Sequence, residues 1–149
     1  MSVEVALALL ERDGLWLLQL RDDVPGIIAP GRWGLFGGHL DPGETPAQAL
    51  QRELLEEIGW QAGPLTYAFR HDRPTRVLHY FRGHLSVPLS ALHLQEGQDL
   101  ALVSLAELET GLVRSPRLGE QRPLAESLAL ALPELRRHPA DGGDGSTGA

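Results

Sequence analysis

The sequence of 149 residues contains no cysteine, so neither a disulfide nor a thiolate metal site can contribute to the structure. Lysine is also absent. All 13 basic residues are arginines, and 20 acidic residues outnumber them, which gives a formal net charge of -7 at pH 7. This acidic balance argues against broad binding to nucleic acid or to a membrane surface. We therefore expect neither among the partners of this protein.

Long hydrophobic runs are missing too, because no apolar stretch approaches the roughly 20 residues of a transmembrane helix. The first residues, Met1 to Val5, lack the basic segment and apolar run of a secretion signal, so we expect a cytoplasmic protein. The length suits one domain that can bury a core. We expect a single domain over residues 1–138 and a disordered, glycine-rich tail over residues 139–149.

Apolar runs and turn signals outline the first part of the chain. Two apolar runs, Val3 to Leu10 and Leu15 to Leu20, flank Asp13-Gly14 and predict a tight β-hairpin. Residues 21–31 are rich in proline, glycine and aspartate and predict a loop. Trp33 to Gly38 is expected to form a short strand that enters a glycine-rich turn.

Capping signals mark one helix clearly. Thr45 suits the N-cap, Pro46 the first helical position, and Gln48 completes a capping box, while Gly59 is placed to end the helix. Farther along, residues 65–70 and 76–85 predict a hairpin, 91–94 and 100–103 predict short strands, and 118–137 is expected to be mostly helical. Strands followed by a helix, strands and a helix predict an α/β/α sandwich around a mixed β-sheet.

Acidic residues on the marked helix carry most of the functional information. Glu53, Glu56 and Glu57 share one helix face because they are spaced i, i+3 and i+4. Such closely packed anions repel one another unless a cation lies among them, and hard oxygen ligands suit Mg²⁺ or Mn²⁺. The apolar stripe is expected roughly opposite the carboxylates, and it consists of Ala49, Leu50, Leu54 and Ile58. An acidic face that is merely solvated is the alternative interpretation.

The glutamates belong to a wider pattern over residues 38–60, which reads Gly38-x5-Glu44-x7-Arg52-Glu53-Leu54-x-Glu56-Glu57-x-Gly59-Trp60. This pattern resembles the complete Nudix box. The resemblance implies a Nudix hydrolase with the sandwich fold, an Mg²⁺-dependent enzyme (Mn²⁺ as a substitute) that cleaves a nucleoside diphosphate linked to another group. Nucleoside triphosphates, oxidised or not, nucleotide sugars and ADP-ribose are the expected substrates. A non-catalytic sensor that binds a nucleotide is the alternative function.

The resemblance also implies roles for single residues. Glu56 and Glu57 are expected to bind the metal, Glu53 to act as metal ligand or general base, and the carbonyl of Gly37 to be a further ligand. Glu53, Glu56 and Arg52 are the expected catalytic residues of the box, and the resemblance leaves open which glutamate is the general base. Arg52 either pairs with Glu56 at i+4 or orients one of the box glutamates through a charge-assisted hydrogen bond, which we favour.

The sequence allows two roles for each of two acidic residues outside the helix, Glu44 and Glu96. Glu44 either favours the helix N-terminus or lies behind the metal ligands. Glu96, in a loop well past the box, is a candidate for the further catalytic or metal-binding glutamate that many family members have, or is an exposed loop acid.

Substrate contacts are predicted from residue type and position. Arg21 and Arg32 flank loops and suit phosphate, Trp33 is an aromatic near the box, and His39 lies within the box. The resemblance implies a nucleotide-type small molecule as the partner and leaves a homodimer open.

Overall fold

The structure is a computed structural model, and it describes residues 3–140. The chain packs as two compact units. The first comprises residues 3–10 and 36–95, and the second comprises residues 11–35 and 96–140. The expected disorder of the tail falls, from residue 141 onward, outside the described residues. That residues 1–138 form a single domain remains a prediction.

The first unit is built on a strand that is buried on both faces. β1 (Val3–Arg12) contributes its first eight residues here, and Val5 to Leu10 are all almost fully buried. β1 pairs with β4 on one side and with β6 on the other, and β6 pairs in turn with β5. The remaining elements are β4 (Gly37–His39), α1 (Pro46–Ile58), β5 (Thr66–Asp72), β6 (Arg76–His84) and a 3₁₀ turn (Leu89–Ala91).

The second unit is built around β2 (Leu15–Leu20), which pairs with the end of β1 and, in antiparallel fashion, with β3 and β7. Asp13 and Gly14 join β1 to β2 with φ values of 53° and 78°, as a tight hairpin turn requires. The other elements are β3 (Trp33–Gly34), β7 (Asp99–Val103), α2 (Leu105–Glu109), β8 (Leu112–Ser115), β9 (Glu120–Pro123), α3 (Glu126–Ala129) and α4 (Leu132–Arg137).

The predicted fold class is confirmed, because the chain is a mixed α/β fold with a mixed β-sheet. The predicted limits of α1 are confirmed as well. Thr45 Oγ1 accepts from the backbone N–H of Gln48, and the Gln48 side chain accepts from the backbone N–H of Thr45. Gly59 closes the helix in the left-handed conformation, φ 64°, and donates its N–H to Leu55.

Three expected elements differ in the structure. The stretch Trp33 to Gly38 is two short strands, because β3 pairs with β2 whereas β4 pairs with β1. Residues 91–94 form no strand. The N–H groups of His93 and Gln95 instead donate to the carbonyls of Ile58 and Glu57 at the end of α1.

The expected helix over residues 118–137 was wrong in its first part. A β-hairpin, β8 and β9, comes first, and only α3 and α4 are helical. Gly119 makes the turn with φ 71° and donates its N–H to the carbonyl of Ser115. No helix among residues 3–140 has both the length and the apolar character to cross a membrane.

The capping box allows a direct stability test. We expect Thr45→Ala to lower the free energy of unfolding by about 1 kcal/mol, because the N–H of Gln48 loses its acceptor. Urea unfolding monitored by circular dichroism measures this. Ser86→Ala, which removes an exposed hydroxyl outside every helix, is the matched control. Equal unfolding midpoints for the two variants would contradict the capping role.

Candidate active site

The three α1 carboxylates differ in burial. Glu57 is only 2% exposed and lies among the buried residues of the helix, whereas the Glu56 side chain is 58% exposed and that of Glu53 is 17% exposed. The expectation that all three lie roughly opposite the apolar stripe was therefore wrong for Glu57. Leu54 and Ile58, which are close to Glu57 in sequence, are fully buried. Glu57 therefore lies partly on the buried side of the helix.

Strand β4 presents backbone groups to α1. Phe36 and Leu40 form backbone hydrogen bonds with β1, so by antiparallel alternation the N–H and C=O groups of Gly37 and His39 turn away from β1. The Gly37 N–H donates to Oε1 of Glu57 at 2.9 Å. This bond compensates part of the cost of burying that carboxylate.

Both glycines of β4 occupy positions where a side chain would collide. A Cβ on Gly38 would lie 2.6 Å from Cδ of Glu53, so the carboxylate rests directly on this backbone. Gly37 has φ 141°, and a Cβ there would lie 3.0 Å from Cα of Leu7 in β1. Glycine at both positions lets β4 approach α1 and β1 at once.

Arg52 lies at the centre of the acidic cluster. Its Nε and Nη2 donate to the two carboxylate oxygens of Glu44 at 2.7 and 2.9 Å, which is a bidentate pair. Its Nη1 lies 3.4 Å from Glu53 and 3.3 Å from Glu56, and Nη2 also donates to the carbonyl of His39 at 3.1 Å. Both predicted contacts of Arg52 are present, but the shortest pair is with Glu44, eight residues earlier. Its role in orienting a glutamate remains a prediction.

A tight turn holds Glu44 in place. Residues 41–44 form a β-turn in which Gly43 has φ 84° and the Glu44 N–H donates to the carbonyl of Asp41. The Asp41 N–H donates back to Oε1 of Glu44 at 2.7 Å. Sequence reasoning missed this reciprocal contact, although the Asp-Pro-Gly-Glu spacing is typical of such a turn.

These bonds shift the titration of the pair. The hydrogen bonds from Arg52, then that from Asp41, lower the pKa of Glu44 from 4.5 to about 2. The same pair with Glu44 raises the pKa of Arg52. Both groups therefore stay charged over the whole pH range in which the protein would act.

The donor set of the cluster fits a hard divalent cation. Two of the three α1 carboxylates, those of Glu53 and Glu57, contact the glycine backbone of β4, and oxygen-only sites suit Mg²⁺. In the part of the chain that the structure describes, no three acidic, histidine or cysteine side chains converge closely enough to hold a metal. The assignment of Glu53, Glu56, Glu57 and Gly37 as ligands therefore remains a prediction.

Other predicted residues belong to the second unit. Arg21 donates from Nε to the carbonyl of Ile28 at 2.7 Å. Arg32 is exposed, and its Nη1 donates to the carbonyl of Leu124 at 3.1 Å. Glu96 is exposed. It directly follows Gln95, and the N–H of Gln95 donates a hydrogen bond to the carbonyl of Glu57 at 2.8 Å.

The prediction that Trp33 contacts the substrate was wrong. Its side chain has no exposed surface, and its indole N–H donates to the carbonyl of Val113 at 2.9 Å. An aromatic side chain with its polar atom satisfied inside the core has no face left for a ligand.

Comparisons with known proteins agree with this geometry. The family model for the NUDIX domain matches residues 2–125. The chain belongs to the Nudix family. It is a hydrolase that acts on phosphorus anhydrides.

Two named relatives match the chain over different lengths. The chain is 36% identical to a CTP pyrophosphohydrolase of Escherichia coli (strain K12) over 107 residues, which cover 70% of this chain and 78% of that protein. It is 45% identical to nucleoside triphosphatase NudI of Escherichia coli O1:K1 / APEC over 53 residues, which cover 36% of this chain and 37% of that protein. A MutT NUDIX hydrolase from Burkholderia pseudomallei superposes with a TM-score of 0.70 at 23% identity, covering 91% and 98% of the two chains, and it shares the fold.

Gly38 provides a test of the Nudix site geometry. We expect Gly38→Ala to lower hydrolytic activity by about 10²-fold, because the new methyl group would displace the Glu53 carboxylate. Gly63→Ala is the matched control, since a Cβ at Gly63 meets nothing within 4 Å. Activity of both variants is measured alongside their melting temperatures. Full activity of a folded Gly38→Ala protein would show that the position of Glu53 is unimportant.

The Arg52–Glu44 pair predicts a pH effect on stability. The pKa of Glu44 is lower in the folded state than in the unfolded state. Ionised Glu44 therefore contributes fully to the free energy of unfolding above pH 4.5, and this contribution is lost as the pH falls toward 2. We expect the melting temperature of the wild type to exceed that of Glu44→Gln near pH 6, and this gap to shrink between pH 4.5 and 2.5. A gap that stays constant over this range would contradict the shift.

Proposed function

We propose that this Nudix hydrolase is a nucleoside triphosphate pyrophosphohydrolase that depends on a divalent cation. The names of two relatives support the substrate class, because one is a CTP pyrophosphohydrolase and the other a nucleoside triphosphatase. The observation that carries the proposal is the intact carboxylate face of α1 against the backbone of Gly37 and Gly38.

Four groups of the first unit would hold the cation: the carboxylates of Glu53, Glu56 and Glu57 and the carbonyl of Gly37. A bound Mg²⁺ supplies charge neutralisation for the phosphates and a more acidic water. Glu57 is already oriented by the Gly37 N–H, whereas Glu56 is exposed and can rotate to meet a ligand.

Arg52 acts in this proposal as a positioning residue. Its bidentate pair with Glu44 fixes the plane of the guanidinium, and the remaining N–H groups then face Glu53 and Glu56. The positive charge reduces the repulsion between those carboxylates. Arg52 therefore prepares the acidic cluster.

The reaction itself needs one proton acceptor. A water oxygen attacks phosphorus at the bridge between the α and β phosphates, and the bridging P–O bond breaks. The leaving group, pyrophosphate for attack at the α phosphorus or the nucleoside monophosphate for attack at the β phosphorus, takes the electron pair. The proton of the water passes to a carboxylate, for which Glu53 and Glu96 are the two candidates. Arg21, Arg32 and His39 are proposed to bind the phosphates, because a protein with a net charge of -7 must attract an anionic substrate locally.

Hydrolysis of a nucleotide panel tests the proposal. The panel contains ribo- and deoxynucleoside triphosphates and their oxidised forms, ADP-ribose, nucleotide sugars and dinucleoside polyphosphates, each assayed with Mg²⁺ and with a chelator. We expect turnover of triphosphates that the chelator abolishes and that Glu57→Gln lowers by at least about 10²-fold, since a group that stabilises transition-state charge is lost. Products are identified by mass spectrometry.

Glu107→Gln is the matched control, because it neutralises an exposed glutamate of α2 that belongs to no predicted site. Turnover of another class in the panel would replace triphosphates as the substrate. Tight nucleotide binding, measured by calorimetry, without turnover of any member would overturn the enzymatic proposal in favour of a sensor.

A further inference from the structure

A buried glutamine interrupts the apolar strand β2. Gln19 is only 1% exposed, and its neighbours Leu17, Leu18 and Leu20 are equally buried. Its Nε2 donates to the backbone carbonyl of Glu96 at 3.0 Å, whereas its Oε1 has no hydrogen-bond partner among the described residues. The carbonyl of Glu96 can only accept, so the amide cannot be turned around without losing this bond.

An unsatisfied buried acceptor destabilises a protein. Methionine has nearly the volume of glutamine and would fill the same space in this apolar strand without that penalty. Packing therefore does not explain glutamine at position 19. Among residues 3–140, the one hydrogen bond of its amide is with the backbone carbonyl of Glu96.

The loop that carries Glu96 rests on the end of β2 through further contacts. The N–H of Gln98 donates to the carbonyl of Leu20 at 2.8 Å, and its Nε2 donates to the carbonyl of Arg21 at 2.9 Å. Between them, Gly97 has φ 101°, and a Cβ there would lie 3.0 Å from Cγ of Gln19. The backbone is thus held on both sides of Gly97, while the side chain of Glu96 stays exposed.

We infer that Gln19 is a positioning residue for catalysis, which holds the backbone of Glu96 so that its carboxylate takes part in the reaction. The inference rests on the proposed role of Glu96 in hydrolysis. Gln98 assists from the other side of the loop. The unsatisfied Oε1 is then a loss of stability that is retained because Nε2 orients a functional residue.

The first variant is Gln19→Met, with Leu17→Met as the matched control in the same strand. We expect Gln19→Met to lower kcat about tenfold, because a loosened loop misplaces the carboxylate. KM should change less than twofold, and the melting temperature should change little, because the hydrogen bond lost at the Glu96 carbonyl offsets the removal of the unsatisfied Oε1. Backbone amides of residues 96–98 should exchange hydrogen faster, whereas those of α1 should not. Leu17→Met should leave kcat and exchange unchanged.

Two more variants separate the ways in which the inference could fail. Gln98→Met should also lower kcat, but by less than Gln19→Met does. In the double variant Gln19→Met/Glu96→Gln, kcat should match that of Glu96→Gln within about twofold, since both changes affect one group. If the fold-loss of kcat in the double variant equals the product of the losses in the two single variants, Gln19 does not act through Glu96. This result would overturn the inference.

Melting temperature and hydrogen exchange together distinguish a structural role of Gln19 from a positioning role. A fall in melting temperature with unchanged loop exchange in Gln19→Met would assign a purely structural role and overturn the inference. Full kcat in Glu96→Gln would remove Glu96 from the reaction and overturn both its proposed role and the positioning role. The hydrolase proposal would stand even then, because Glu57→Gln tests it separately.

Discussion

The bidentate pair between Arg52 and Glu44 is the interaction on which the acidic cluster depends. Three carboxylates on one helix face repel one another, and Glu44 adds a fourth negative charge nearby. One guanidinium contacts three of these four groups, and the turn of residues 41–44 fixes its main partner. Without it, Glu53 and Glu56 would lose the guanidinium charge that lies beside both of them.

The backbone of β4 is the second constraint, and it explains why the box begins with glycine. Gly37 and Gly38 allow the carboxylates of Glu57 and Glu53 to rest on the strand itself. The three α1 carboxylates therefore start from different conditions: one is buried and hydrogen-bonded, one is packed on a glycine, and one is exposed. The two packed carboxylates are held in a fixed orientation, whereas the exposed one is free to rotate toward a ligand. A catalytic site needs both properties.

Local signals in the sequence predicted local structure well. The caps of α1, the Asp13-Gly14 hairpin and the loop over residues 21–31 depend on contacts between near neighbours, so their residues were sufficient to find them. The hairpin of β8 and β9 was mistaken for a helix. Its strands have four residues each, too few to show a two-residue period, and the apolar residues of α3 and α4 extended the helical pattern across it.

The sequence by itself determined the family and the residues of the box through its resemblance to the Nudix box, and the order of strands and helices predicted the fold class. The shared face of the glutamates follows from helix geometry alone. Tertiary structure decided that Arg52 pairs with Glu44 before Glu56, that Glu57 is buried, that Trp33 belongs to the core, and that Gln19 holds the loop of Glu96. The contact between Gln19 and Glu96 joins residues 77 positions apart. Contacts of this kind arise from strand pairing and packing, and they leave no periodic signal in the chain.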